Sequence, residues 1–182
     1  MNLFIIHSFP DLDNLAPIIK TLSTKKKVLI LSIYPVYDFK KYKILRFLLK
    51  HNIPYQSILS ISPVYKLFDI LLKILFLLPN FISYRLDFLW RHIYYNNFIF
   101  NKKTFDNLNS KKYINTINID DALPKKYKKI ISLYAKEKKI PLFLFKNGVE
   151  MKRYNKNEFE YFIECDKIII QDNHHQIFLL MM

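Results

Sequence analysis

The side chains best suited to chemistry lie in short polar segments, each of which follows an apolar run. The first segment, residues 7–14, comes directly after the apolar residues at the start of the chain. Its imidazole can act as a general base at neutral pH, and its carboxylates can hold a hydroxyl-rich substrate. We therefore predict His7, Asp11 and Asp13 as catalytic candidates, with Ser8 and Asn14 as substrate-binding candidates.

The same segment has a second, structural explanation. It could be a loop of turn-forming and capping residues, with Asp13 or Asn14 as the N-cap of the next helix and Pro17 in its first turn. Capping explains one of these residues but not His7, Asp11 and Asp13 together. Both explanations stay open at this point.

Two further polar segments, residues 146–148 and 172–175, follow the apolar runs at residues 142–145 and 167–171. Lys146, Asn147 and Gly148 are predicted to bind substrate, because Lys146 supplies a cation and Gly148 suits a positive φ or a close approach of the backbone. The adjacent His174 and His175 have the ligand chemistry of a metal site. However, the side chains of neighbouring residues diverge and no third ligand converges with them, so we predict no metal site.

Several cofactor and active-site motifs are excluded by the residues that the sequence lacks. Gly148 is the only glycine, which rules out both the G-x-G-x-x-G turn and the Walker A loop. Cys165 is the only cysteine, so an internal disulfide and the common cysteine-based zinc sites are also excluded. The motifs H-E-x-x-H and G-x-S-x-G are absent as well. We therefore expect this domain to bind no cofactor.

The elements that must position these residues follow from the hydrophobic pattern. Continuous apolar runs predict strands buried on both faces, and stretches with helical periodicity lie between them. This alternation predicts an α/β fold: a Rossmann-like, three-layer, open and mostly parallel sheet of about six strands, in the order 3-2-1-4-5-6. The predicted strands are residues 3–7, 28–33, 56–61, 113–119, 142–145 and 167–171, and the predicted helices are residues 14–22, 40–51 and 124–135.

Residues 63–100 interrupt this pattern as an insertion of two predicted helices. Its uncharged run, residues 74–84, contains Pro79 and is shorter than the roughly 20 apolar residues that a membrane span needs. A wide apolar face near Arg85, Arg91 and Trp90 suits a contact with a membrane surface. Packing against the sheet or against a further domain explains the same face, so both alternatives stay open.

Length and charge narrow the class of protein. A chain of 182 residues fits one domain, residues 1–182. The net charge of +14 favours anionic partners, although a lysine-rich surface that serves only solvation gives the same charge. No nucleic-acid-binding motif accompanies the charge, so we expect no specific nucleic acid partner. The first residues lack the basic start of a signal peptide, which predicts a cytoplasmic location.

Residues 6–18, with the sequence IHSFPDLDNLAPI, resemble the opening of bacterial surface-carbohydrate biosynthesis proteins. These proteins are similar to the GT-B glycosyltransferases, the poly(glycerol-phosphate) glycerophosphotransferases and the UDP-N-acetylglucosamine 2-epimerases. A looser similarity keeps its order through Asp120 and Asp121, residues 141–145, and the turn at Gly148. These families often have Pro-His-Gly where this chain has Lys-Asn-Gly, and this difference puts a histidine role at that turn in doubt.

The resemblance implies the N-terminal, acceptor-side half of a two-domain glycosyltransferase-like enzyme for cell-surface polysaccharide. A nucleotide-activated sugar or alditol donor would be held mainly by a second Rossmann-like domain, which this chain lacks. The acceptor would be a saccharide or a lipid-linked molecule at the inner face of the cytoplasmic membrane, and the chain alone would be incomplete as an enzyme. The alternative function is a non-catalytic α/β module that contacts a membrane or a protein partner.

Overall fold

The chain forms one seven-stranded sheet with helices on both faces. The computed structural model describes residues 1–33, 42–61, 66, 67, 70, 71, 74, 100–146, 167–171 and 177–181. The strands are β1 (Asn2–Ile6), β2 (Val28–Ser32), β3 (Tyr55–Ser57), β4 (Thr116–Asp120), β5 (Leu142–Lys146), β6 (Lys167–Gln171) and β7 (Ile177–Met181). The helices are α1 (Phe9–Ser23), α2 (Lys43–Lys50), α3 (Lys102–Lys112) and α4 (Lys125–Lys138).

The sheet has the strand order β3-β2-β1-β4-β5-β6-β7. Strand β1 lies between β2 and β4, where Leu3 is in register with Leu29 of β2 and with Ile117 of β4, both in parallel pairs. The predicted order of the first six strands is therefore confirmed. The sequence pattern missed β7, which pairs with β6 in the antiparallel direction.

Helices cover the central strands on both sides, which explains their continuous apolar character. All residues of β1 and β2 are buried. Leu3 and Ile5 pack in one core cluster with residues of α3 and α4, while Phe4 and Ile6 pack in a second cluster with residues of α1 and α2. The predicted three-layer, Rossmann-like α/β architecture is thus confirmed.

The start of α1 differs from the prediction. Residues 9–14 belong to the helix rather than to a loop, and Ser8 is the N-cap, so the predicted cap at Asp13 or Asn14 was wrong. Pro10 occupies the first turn, where a missing N–H costs nothing, and a carboxylate three residues after Ser8 completes a capping box. Pro17 consequently lies inside the helix instead of in its first turn.

The boundaries of the third and fourth strands and of helices α2 and α4 also moved, and one helix was not predicted. The third strand contains only Tyr55–Ser57, because a 3₁₀ turn follows at Ile58–Ser60. The fourth strand begins at Thr116, since Tyr113 caps α3 with a φ of 48°. The N-cap of the unpredicted helix α3 is Asn101, whose side chain accepts a hydrogen bond from the Thr104 N–H at 3.1 Å.

Only part of the predicted helical insertion belongs to the described residues. Lys66, Leu67, Ile70, Leu71 and Ile74 are helical and exposed to solvent. Apart from Phe100, the other residues of the insertion lie outside the described part of the chain. Within the residues that the structure describes, no helix is long and apolar enough to cross a membrane.

Candidate functional site

The candidate site lies at the carboxyl ends of β1 and β4, and we call this edge of the sheet the crevice, because open α/β sheets bind ligands there. From β1 the strand order runs through β2 to β3 on one side and through β4 to β5 on the other. The connections that leave β1 and β4 therefore diverge, and ligands of open α/β sheets bind at such a switch point. The segment at residues 7–14 follows β1 at this crevice, and Asp120 ends β4 beside it.

His7 lies at the mouth of the crevice, directly after β1. It is half-buried, and its ring lies 5.9 Å from the ring of Tyr127, measured between centroids, with an angle of 47° between the ring planes. Tyr127 comes from the first turns of α4 and is itself buried. This ring contact joins the segment after β1 to the helix after β4, so the imidazole is held at the switch point.

Asp11 fixes the backbone that carries this histidine. Its side chain is fully buried, and its Oδ2 accepts hydrogen bonds from the backbone N–H of His7 at 2.7 Å and of Ser8 at 3.0 Å. The Ser8 hydroxyl donates to Oδ1 at 2.5 Å. A carboxylate in the first turn also interacts favourably with the helix dipole. This geometry favours a positioning role for Asp11 over the predicted contact with substrate, and it gives Ser8 a capping role.

Asn14 and Asp120 meet across the crevice. The Asn14 amide donates to Asp120 Oδ2 in a long hydrogen bond of 3.5 Å, which links α1 to the end of β4. Asp120 is fully buried, and its Oδ1 accepts the backbone N–H of Ala122 at 2.7 Å. This long contact brings the Asn14 amide and the buried Asp120 carboxylate together at one edge of the sheet.

An ion pair between Lys128 and Asp121 borders the same edge. The Lys128 ammonium donates to Asp121 Oδ1 and to the Asp121 carbonyl, both at 2.9 Å. The Asp121 N–H in turn donates to the carbonyl of Phe145 at 2.8 Å, which ties the turn after β4 to β5. The pair places a cation beside the crevice.

Asp13 lies apart from the groups that face the crevice. It is exposed on α1, and its Oδ1 accepts a hydrogen bond from the Tyr42 hydroxyl at 2.5 Å. That hydrogen bond, helped by desolvation and by the Asp13 charge, raises the pKa of Tyr42 above its ordinary value. The structure thus gives Asp13 a contact with the segment before α2, and its catalytic role stays a prediction.

The remaining predicted residues are only partly described. Lys146 ends β5, where it is in register with Ile170 of β6, but its side chain is outside the description. Asn147, Gly148 and the two adjacent histidines predicted not to bind metal also lie outside the described residues. Within the part of the chain that is described, no group of three His, Cys, Asp or Glu side chains could hold a metal ion.

Two residues of the crevice were missed by the sequence interpretation. Asp120 follows an apolar run, as the first predicted segment does, so its position at a strand end was an available signal. Tyr127 fits the apolar face of α4, and no local signal separates its contact with His7 from ordinary core packing. Recognising it requires the strand order.

The crevice combines an imidazole, an amide and a buried carboxylate with a nearby ion pair. An imidazole can accept the proton of a hydroxyl group, and an amide can both donate to and accept from hydroxyl groups. This set of groups suits a small hydroxyl-bearing ligand. Comparison of the chain with protein-family models, with curated proteins and with solved structures finds no match.

Proposed function

We propose that this chain is the acceptor-side domain of a glycosyltransferase-like protein in cell-surface polysaccharide biosynthesis. The observation that carries the proposal is the position of His7 at the switch point, where Asp11 holds its backbone and Tyr127 contacts its ring. Asn14 lies at the same edge of the sheet, where it donates to Asp120. A general base and a hydrogen-bonding amide at one edge suit the activation of an acceptor hydroxyl. The resemblance of residues 6–18 to surface-carbohydrate proteins covers the same residues.

The proposed reaction is transfer from a nucleotide-activated sugar or alditol. The His7 imidazole accepts the proton of an acceptor hydroxyl while that oxygen forms the bond to the electrophilic centre of the donor. The bond from that centre to the nucleotide breaks, and the nucleotide leaves with the electron pair. A second domain would hold the donor, and Lys146 is the residue of this chain proposed to face the leaving phosphate.

Saturation-transfer NMR with a panel of hexoses, N-acetylhexosamines and glycerol phosphate tests acceptor binding by this chain. We expect at least one compound to receive saturation from the wild-type protein, and we expect Asn14→Ala to lose that signal. Asn107→Ala is the matched control, because Asn107 is an exposed asparagine on α3. Absence of signal for every compound, or equal signals from the two variants, would contradict the proposal.

A second candidate function, a non-catalytic module at a membrane surface, is supported by one specific observation. Leu67, Ile70, Leu71 and Ile74 have the i, i+3, i+4, i+7 spacing of one helix face, and all four are exposed. An exposed apolar helix face beside cationic residues is typical of contacts with the surface of a bilayer. In this function the apolar stripe formed by Leu67, Ile70, Leu71 and Ile74 inserts at the inner face of the membrane.

Flotation with phospholipid vesicles tests the second candidate. A membrane module should float with vesicles, and Leu67→Gln together with Leu71→Gln should reduce the floated fraction. Leu133→Gln is the matched control, since Leu133 on α4 is 60% exposed and Leu67 is also 60% exposed. Equal flotation of the double variant and the control would remove the stripe as a lipid contact.

A further inference from the structure

An open groove lies at the amino-terminal edge of the sheet, on the side opposite the crevice. It has a volume of about 710 Å³ and lies where β2 begins and where α1, α2 and α3 end. The apolar residues that line it are Met1, Val28, Ile53 and Pro54. The groove shares no residue with the candidate site, so the proposed function leaves it unexplained.

The walls of this groove are cationic. Lys25, Lys26 and Lys27 line it side by side, and Lys112 and His51 contribute from the ends of α3 and α2. No carboxylate occurs among the described residues that line the groove. Like charges held this close repel one another, and a bound anion would relieve that repulsion.

Three lysines outside the groove have carboxylate partners. Lys102, Lys128 and Lys138 each form an ion pair with a carboxylate, at 2.6, 2.9 and 2.8 Å respectively. In the groove, Lys112 instead donates to the amide oxygen of Gln56 at 2.8 Å, and this neutral acceptor does not offset the charge of the ammonium group. Cations do stabilise helix carboxyl ends, but three consecutive lysines at the end of α1 exceed what one helix dipole needs.

The positions of the groove side chains are partly fixed. The His51 Nδ1–H donates to the Phe47 carbonyl at 2.9 Å, so Nε2 is the ring nitrogen that could bind a ligand. The centroids of the His51 and Phe47 rings lie 4.3 Å apart. Burial and the Lys27 cation lower the pKa of the Met1 amino group, as expected in a region of positive potential. The groove thus combines two positioned side chains, His51 and Lys112, with excess positive charge.

We propose that this groove binds a phosphate group, carried either by a soluble phosphorylated compound or by a phospholipid headgroup. Lysine ammonium groups bind phosphate as point charges, and the apolar surface of the groove reduces the screening by water. The groove is open to solvent, and its volume of about 710 Å³ leaves room for more than one phosphate group. The site lies apart from the crevice, so the proposal does not depend on the proposed function.

Calorimetric titration with sodium tripolyphosphate in about 50 mM salt tests the proposal, because screening is weak there. The groove variant carries Lys25→Gln, Lys26→Gln and Lys27→Gln. The control variant carries Lys103→Gln, Lys126→Gln and Lys129→Gln, which removes the same charge from exposed positions on α3 and α4. We expect the groove variant to bind at least about tenfold more weakly than wild type, and the control to change less than about twofold. Circular dichroism of both variants establishes that they are folded.

Co-sedimentation with phosphatidylglycerol and phosphatidylcholine vesicles identifies the source of the phosphate. Binding to the anionic vesicles that is lost in the groove variant supports a headgroup ligand, and tripolyphosphate binding without vesicle binding supports a soluble one. Equal weakening in the groove and control variants would overturn the proposal, because it would reduce the effect to net charge. Absence of binding to both tripolyphosphate and anionic vesicles would also overturn it.

Discussion

Replacing Asp11 by alanine tests the positioning role that its hydrogen bonds indicate. The substitution removes the acceptor of two backbone N–H groups, those of His7 and Ser8, and of the Ser8 hydroxyl. Loss of a helix cap costs about 1 kcal/mol, and leaving buried donors unsatisfied costs roughly 1–3 kcal/mol more. We therefore expect Asp11→Ala to lower the free energy of unfolding by about 2–4 kcal/mol. For a chain of this size that corresponds to a decrease in Tm of roughly 5–15 °C.

Urea denaturation followed by circular dichroism measures this change. Asp13→Ala is the matched control, because Asp13 lies two residues away in the same helix but is exposed. We expect the control to change stability by less than about 0.5 kcal/mol. If Asp11→Ala and Asp13→Ala have the same effect, the buried carboxylate does not hold the backbone at His7 and the reasoning is refuted.

Two further predictions concern an aromatic side chain and an ion pair. Burial is the largest cause that raises the pKa of the Tyr134 hydroxyl to about 12 in the folded protein. The protonated hydroxyl therefore stabilises the folded state fully below about pH 10, and this stabilisation is lost as the pH rises towards 12. Urea titrations at pH 9 and pH 11.5 should therefore show a smaller loss of stability in Tyr134→Phe than in wild type, and an equal loss would contradict the argument. Lys128→Gln should cost about 0.5–1 kcal/mol at low salt and less at 1 M salt, because its pair with Asp121 is only 16% and 33% exposed. Lys102→Gln is the control, since its pair with Glu137 is about half exposed and should contribute little, and equal losses in the two variants would contradict this ranking.

The sheet was the most predictable part of the fold. Apolar runs such as β1 and β2 are buried on both faces, so the local sequence already contains the signal for a central strand. Helix α3 was not predictable in the same way. Its sequence has few apolar residues, and it depends on the packing of Phe105 and Leu108 in the core. Tertiary contacts of this kind override weak local preference.

The candidate site was predictable in part. Residue 7 and its neighbours were identified because they follow a buried strand, and strand ends carry ligands in this type of fold. The capping role of Asp11 was not predicted, because its spacing from Ser8 was not recognised as a capping box, and its contact with substrate stays a prediction. The pairing of Asn14 with Asp120 joins residues 106 positions apart, so only the folded topology brings them together.

Mapping of backbone amide chemical shifts in a ¹⁵N-labelled sample tests the central claim, that the crevice at the carboxyl ends of β1 and β4 binds the acceptor. The titrant is whichever saccharide or glycerol phosphate gives the strongest saturation-transfer signal. We predict that the largest shifts fall on His7, Ser8 and Ala122, whose N–H groups border the crevice. Shifts confined to Lys27 and Asn52 at the opposite edge of the sheet, or no shift with this titrant, would contradict the claim.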